Sequence, residues 1–326
     1  MTTPITIEQA VNEIQRAGQR IRPHIRRTYL VPSRYYSQLT GASVFFKCEN
    51  LQHTGSFKAR GALNKLLSLS PAEIAQGVVS ASTGNHGAAV AFAATKVQAR
   101  ALIFVPEGAA VSKLAAIERL GGEVRVHGLD SVEAERFARR YAEEHDMAFV
   151  SPYNDPQVVG GQGTIGLELA EQLPQVDAVF ASVGGGGLIA GIAVAMKHFG
   201  PETCIVGCWP ENSQVMLQSI RAGQILDLPS EPTLSDGTAG GVEPGSITFP
   251  LCRDLIDDYE TVSESEIARH MRQFMTAHHQ LIEGSAAVPI AALVKRGQEF
   301  AGQNVAVVLC GANIDLGKLR GVLEEG

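Results

Sequence analysis

Short apolar runs separated by helix-patterned segments constrain this chain more than any other feature. Ala101–Val105 is a continuous apolar stretch, and residues 124–127 and 148–150 read as further strand-like runs. Between them, residues 115–120 and 132–144 carry helical spacing. Continuous apolar strands alternating with helices are the pattern of parallel α/β layers, because crossover helices bury both faces of the sheet. No internal repeat or low-complexity linker interrupts the pattern. At 326 residues the chain is long enough for two domains with a substantial core.

Open α/β sheets bind ligands at the carboxyl ends of their strands, and four segments invite chemistry at such positions. Ser56-Phe57-Lys58-Ala59-Arg60-Gly61 places a lysine at a loop-to-helix junction among small and apolar neighbours. Desolvation and the nearby Arg60 cation are expected to lower its pKa and expose a nucleophilic amine. Ser82-Thr83-Gly84-Asn85-His86-Gly87 follows the apolar run Gly77-Val78-Val79-Ser80-Ala81 and precedes an alanine-rich stretch. This reads as strand, tight turn and helix, with free N–H groups facing an anion. A capped turn with a structural glycine fits the same letters.

Gly184-Gly185-Gly186-Gly187 lies between the strand-like Ala178–Ser182 and a helix expected from Leu188 to about Lys197. Four glycines let backbone N–H donors converge on a phosphate. A nicotinamide dinucleotide is disfavoured, because no acid ends the following strand: Trp209 and Pro210 stand there. Leu309-Cys310-Gly311-Ala312-Asn313 ends the last apolar run, 305–308, and puts a cysteine at a strand's carboxyl end.

Taken together, the four segments resemble the fold-type II pyridoxal-phosphate enzymes, in their serine/threonine dehydratase branch. Gly161-Gln162-Gly163-Thr164 and Ser235-Asp236-Gly237 extend the resemblance over nearly the whole chain. It implies two open parallel-sheet α/β domains with pyridoxal 5'-phosphate in the cleft between them. The large domain would comprise residues 1–75 and 153–326, and a smaller mobile domain residues 76–152. Lys58 would hold the cofactor as a Schiff base and then take the substrate's Cα proton. Gly184, Gly185, Gly186 and Gly187, with Leu188, would bind its phosphate. Asn85 would meet the ring hydroxyl, Cys310 the pyridine nitrogen, and Phe57 and Gly237 the ring faces. Glu283 matches a carboxylate on the pyridine side. Ser82, Thr83, Asn85 and His86 would hold the substrate carboxylate, with Thr83 also in the place of an opposite-face acid/base. A thiol at Cys310 makes the ring a shallower electron sink than a carboxylate would, which favours β-elimination.

The resemblance implies loss of water from a β-hydroxy amino acid such as L-threonine or L-serine, giving a 2-oxo acid and ammonia. Phenylserine or 3-hydroxyaspartate, serine racemisation and β-replacement are alternatives, and a non-catalytic binding protein is a further one. No arginine near the motifs is placed by the sequence to serve a second substrate carboxylate, which mildly disfavours hydroxyaspartate. Metal-dependent relatives carry Gly-Val-Glu-Pro where this chain has Gly207-Cys208-Trp209-Pro210. Trp209 offers no oxygen to a hard cation, so no metal site is expected there.

A net charge of −7 without basic clusters argues against nucleic acid or an anionic membrane as partner. The five cysteines show no zinc-like spacing and suit a reducing compartment. Thr6-Ile7-Glu8-Gln9 reads as a capping box opening an amphipathic helix rather than as a targeting segment, so the cytoplasm is the expected location. The chain ends soon after the Cys310 motif, which suggests a catabolic enzyme without a regulatory domain. A homodimer is the expected assembly.

Overall fold

The structure, a computed structural model, describes residues 5–324. Ten strands form two sheets among the described residues. They are β1 (Leu30–Pro32), β2 (Ser43–Lys47), β3 (Val78–Ala81), β4 (Ala101–Val105), β5 (Glu123–Val126), β6 (Ala148–Phe149), β7 (Ala178–Ser182), β8 (Cys204–Pro210), β9 (Asp258–Val262) and β10 (Asn304–Val308). The six-stranded sheet runs β1-β2-β10-β7-β8-β9, parallel except for β1, which pairs antiparallel with β2. The second sheet runs β5-β4-β3-β6, parallel throughout.

Burial follows position in each sheet. Every residue of β4 and β7 is buried, as helices on both faces require. β5, at an edge, has no fully buried residue and carries Glu123 and Arg125 outward. The uncharged stretch beginning at Ala178 divides into β7, the glycine loop and the helix Gly187–Phe199. Among the described residues no helix is long and apolar enough to cross a membrane.

The opening helix Ile7–Ile21 has the expected capping box: Gln9 N–H donates to Thr6 Oγ1 at 3.2 Å, and Thr6 N–H to Gln9 Oε1 at 2.9 Å. Its buried stripe is Ala10, Val11, Ile14, Ala17 and Ile21. The helix expected at 115–120 is Val111–Arg119 instead. Its first turn was hidden because Val111 is exposed, so periodic burial starts only further along.

The second sheet lies entirely within residues 78–149, yet its core is not made by that segment alone. Ile21 and four residues of the helix Lys58–Leu67, namely Ala59, Ala62, Leu63 and Leu66, join Val78, Val90 and Ile103 in one apolar cluster. The helix that begins at Lys58 therefore packs into the smaller sheet's core.

Candidate active site

The carboxyl ends of β2, β3, β7 and β10 converge on a cavity of about 810 Å³. Every residue singled out from the sequence for cofactor or substrate lines it. Phe57 and Lys58 arrive from the segment after β2, Ser82, Thr83, Asn85 and His86 from the turn after β3, and Gly184 to Leu188 from the loop after β7. Gly237 and Glu283 come from connections after β8 and β9, and Cys310 from the end of β10.

Lys58 is the first residue of its helix and its Nζ donates to Pro152 O at 2.8 Å. Burial lowers its pKa to about 8, against smaller opposing effects from Cys310 and Glu283. The expected contribution of Arg60 is absent. That guanidinium turns away into an enclosed ion cluster, which corrects the reading of a cationic neighbour. Arg60 Nε and Nη2 reach the two oxygens of Glu49, each at 2.8 Å, and Nη1 and Nη2 reach those of Glu168 at 2.7 and 3.0 Å. Lys47 donates to Glu168 and to Thr28 O. Lys47, Glu49 and Arg60 are fully buried. The cluster ties the first turn of the Lys58 helix to the end of β2 and to the helix Pro156–Gln172.

The glycine loop is shaped by its neighbours as well as by any anion. Gly186 has φ +85°, which favours glycine, and caps the helix Gly187–Phe199. A Cβ on Gly185 would lie 2.4 Å from the Tyr153 ring. Thr248 Oγ1 fixes the Gly185 carbonyl at 2.6 Å. The first N–H groups of that helix have no intrahelical acceptor, which suits its positive end to an anion.

Opposite the loop, Cys310 is buried and lies 3.6 Å from Ser182 Oγ and 3.9 Å from Glu283 Oε1. Burial, and then the Glu283 charge, push the thiol well above its usual range, so it stays neutral. Glu283 is buried as well, and desolvation raises its pKa to about 7. It accepts from Asn85 Nδ2 at 2.9 and 3.0 Å and from Asn313 N–H at 3.0 Å. Asn85 is thus anchored through Glu283 and Asn313, whose Nδ2 donates to Asn85 Oδ1 at 2.6 Å. His86 lies 2.9 Å from Val150 O through Nε2, and burial, then the Lys58 charge, hold it neutral with a pKa of about 3.

These residues fit pyridoxal phosphate on the structure's own terms. A lysine amine of lowered pKa opens into the cavity, a helix N-terminus carries a loop that tolerates no side chain at Gly185, and a neutral thiol faces the space between them.

Two features escaped the sequence. Arg136 and Arg139, on the helix Ser131–Glu144, line the same cavity, so arginines do stand near the site despite lying far from the motifs along the chain. Glu243, equally outside the motifs, joins Arg139 in a network that also takes in the pocket residue Asn154. Trp209, in contrast, is buried away from the cavity, with its ring tip over Gly207.

Comparison with known proteins agrees with this geometry. The family described as "Pyridoxal-phosphate dependent enzyme" matches residues 21–311. An L-threonine ammonia-lyase of Geobacter sulfurreducens is 41% identical over 314 residues, covering 96% of this chain and 78% of that protein. A serine racemase of Arabidopsis thaliana is 38% identical over 311 residues, covering 94% and 93%. The processed form of threonine deaminase isoform 2 from Solanum lycopersicum superposes with a TM-score of 0.93 at 33% identity, covering 98% of this chain and 92% of that one. The chain belongs to the pyridoxal-phosphate-dependent enzyme family, in its fold-type II. Pyridoxal 5'-phosphate is its cofactor, and it is a carbon–nitrogen lyase of the hydroxy amino acid dehydratase kind.

Proposed function

We propose that this enzyme removes water from L-threonine and L-serine, releasing the 2-oxo acid and ammonia. The observation that carries the reading is Lys58, an amine of near-neutral pKa beside a neutral thiol and a phosphate-shaped loop in one cavity. When bound, pyridoxal phosphate supplies a carbonyl to capture the substrate amine and a conjugated ring to accept electrons from Cα.

The protein's own groups do the rest. Lys58, held at Pro152 O, takes the Cα proton, since a base works best with a pKa near the working pH. The turn Ser82–His86 receives the substrate carboxylate on its hydroxyls and N–H groups, with Gly84 N–H bonded to Ser82 Oγ at 3.1 Å. Neutral His86 braces the turn from behind through Val150. The neutral Cys310 thiol would lend no full charge to a ring nitrogen placed beside it, which would favour prompt loss of the β-hydroxyl. Residues 76–152 act as a smaller mobile domain, and Thr83 stands where an opposite-face acid/base would act.

The test is the purified, cofactor-loaded protein with a panel of β-hydroxy amino acids, reading oxo acid and ammonia. Release from threonine and serine without added thiol is expected. Turnover only when sulfide is supplied would replace the reading with β-replacement.

A further inference from the structure

We propose that Glu243 sets the charge that this enzyme tolerates on its substrate's side chain, rejecting acidic substrates. The inference rests on the dehydratase reading and adds the selection of substrate. Arg139, on the cavity wall, would be a natural receptor for a second carboxylate. Its guanidinium is already occupied: Nη2 donates to Glu243 Oε1 at 2.6 Å and to Glu135 Oε1 at 2.7 Å, and Nε to Glu135 Oε1 at 3.0 Å. Two carboxylates on one cation leave Arg139 no uncompensated charge to offer a substrate carboxylate, and burial raises the Glu243 pKa against the pull of Asn154 and Arg139. Arg136 also lines the cavity, but it is exposed, where salt and water screen it.

Glu243 is held in place rather than loosely paired. Its Oε2 accepts from Asn154 Nδ2 at 2.8 Å, and its N–H donates to Tyr153 Oη at 2.9 Å. Asn154 is locked in turn, its Oδ1 accepting from Ile247 N–H at 3.0 Å. Glu243 lines the same cavity as Lys58. Pro152 O holds Lys58 Nζ, and Asn154 lies two residues further on, a span of at most about 7 Å. A substrate held at Lys58 shares this cavity with the Glu243 carboxylate. Discrimination by a repelling charge is a common way to exclude a near-identical competitor.

The experiment compares kcat/KM for 3-hydroxyaspartate and threonine in wild type, Glu243→Gln, Glu243→Asp and Arg139→Gln. Glu243→Gln should move the ratio toward the acidic substrate by about tenfold, a size ordinary for one like-charge contact. Glu243→Asp should keep the wild-type ratio, and Arg139→Gln should move it the other way. An unchanged ratio in Glu243→Gln overturns the proposal. So does a shift of the same sign in Arg139→Gln, which would mean only a loosened wall. Calorimetric binding of succinate against butyrate to the holoenzyme gives the same comparison without turnover. A protein that deaminates nothing but shows the succinate shift refutes the dehydratase reading and keeps the role of Glu243.

Discussion

Replacing Glu283 by Gln should alter how stability depends on pH, in a direction that the site fixes. In the folded chain its carboxyl titrates at about 7, raised from 4.5 chiefly by desolvation. An acid with a raised folded pKa keeps a proton that the unfolded chain gives up. Its contribution is therefore complete below about 4.5 and is lost as pH rises to about 7. The shift from 4.5 to about 7 corresponds to roughly 3 kcal/mol at about 1.4 kcal/mol per unit. Urea unfolding of cofactor-free wild type and Glu283→Gln between pH 4.5 and 8 isolates this group by difference. Wild type should lose about 3 kcal/mol relative to the variant as pH rises across that window. A difference that stays flat, or that grows in favour of wild type, refutes the picture of a proton held by burial.

Four further outcomes follow from the same site. With a pKa of about 8, about a quarter of the Lys58 amine is free at pH 7.5, against about one part in a thousand for an ordinary lysine. Acylation mapped by mass spectrometry should single it out in the cofactor-free protein, and reactivity like that of surface lysines would contradict the burial argument. Gly185→Ala pushes a methyl into the Tyr153 ring, so it should cost about 1–3 kcal/mol and weaken cofactor binding measured by absorbance titration. If Cys310 faces the ring nitrogen as proposed, Cys310→Asp should raise racemisation or transamination relative to deamination, whereas unchanged product ratios by chiral chromatography would count against it. Because Trp209 fills its position with an indole, EDTA should leave activity intact, and a loss restored by magnesium would show a cation site elsewhere.

Much of this was readable from local sequence because the chemistry sits in short contiguous segments. The turn after β3, the glycine loop and Cys310 each lie at the end of an apolar run, Lys58 opens the helix that follows β2, and strand ends of a parallel sheet share one side. What the sequence hid depends on contacts between distant segments. Arg139 meets Glu243 across more than a hundred residues, and neither falls in a motif. Arg60 looked like a neighbour of Lys58 because the two stand two positions apart in sequence, but such helical positions point in different directions. Glycine at 185 was expected from phosphate binding, while its tight constraint comes from Tyr153, a residue of another loop.

The enclosed cluster of Lys47, Glu49, Arg60 and Glu168 carries a lesson for how this lineage can drift. Two bases and two acids balance to zero in a space that water does not reach freely. Exchanging any one of them strands its partner's charge, at about 3–5 kcal/mol, whereas a matched change of two can pass almost unnoticed. Variation there should therefore come in compensating pairs, and a homologue with a single substitution should hold a counterion, a proton or a second change nearby.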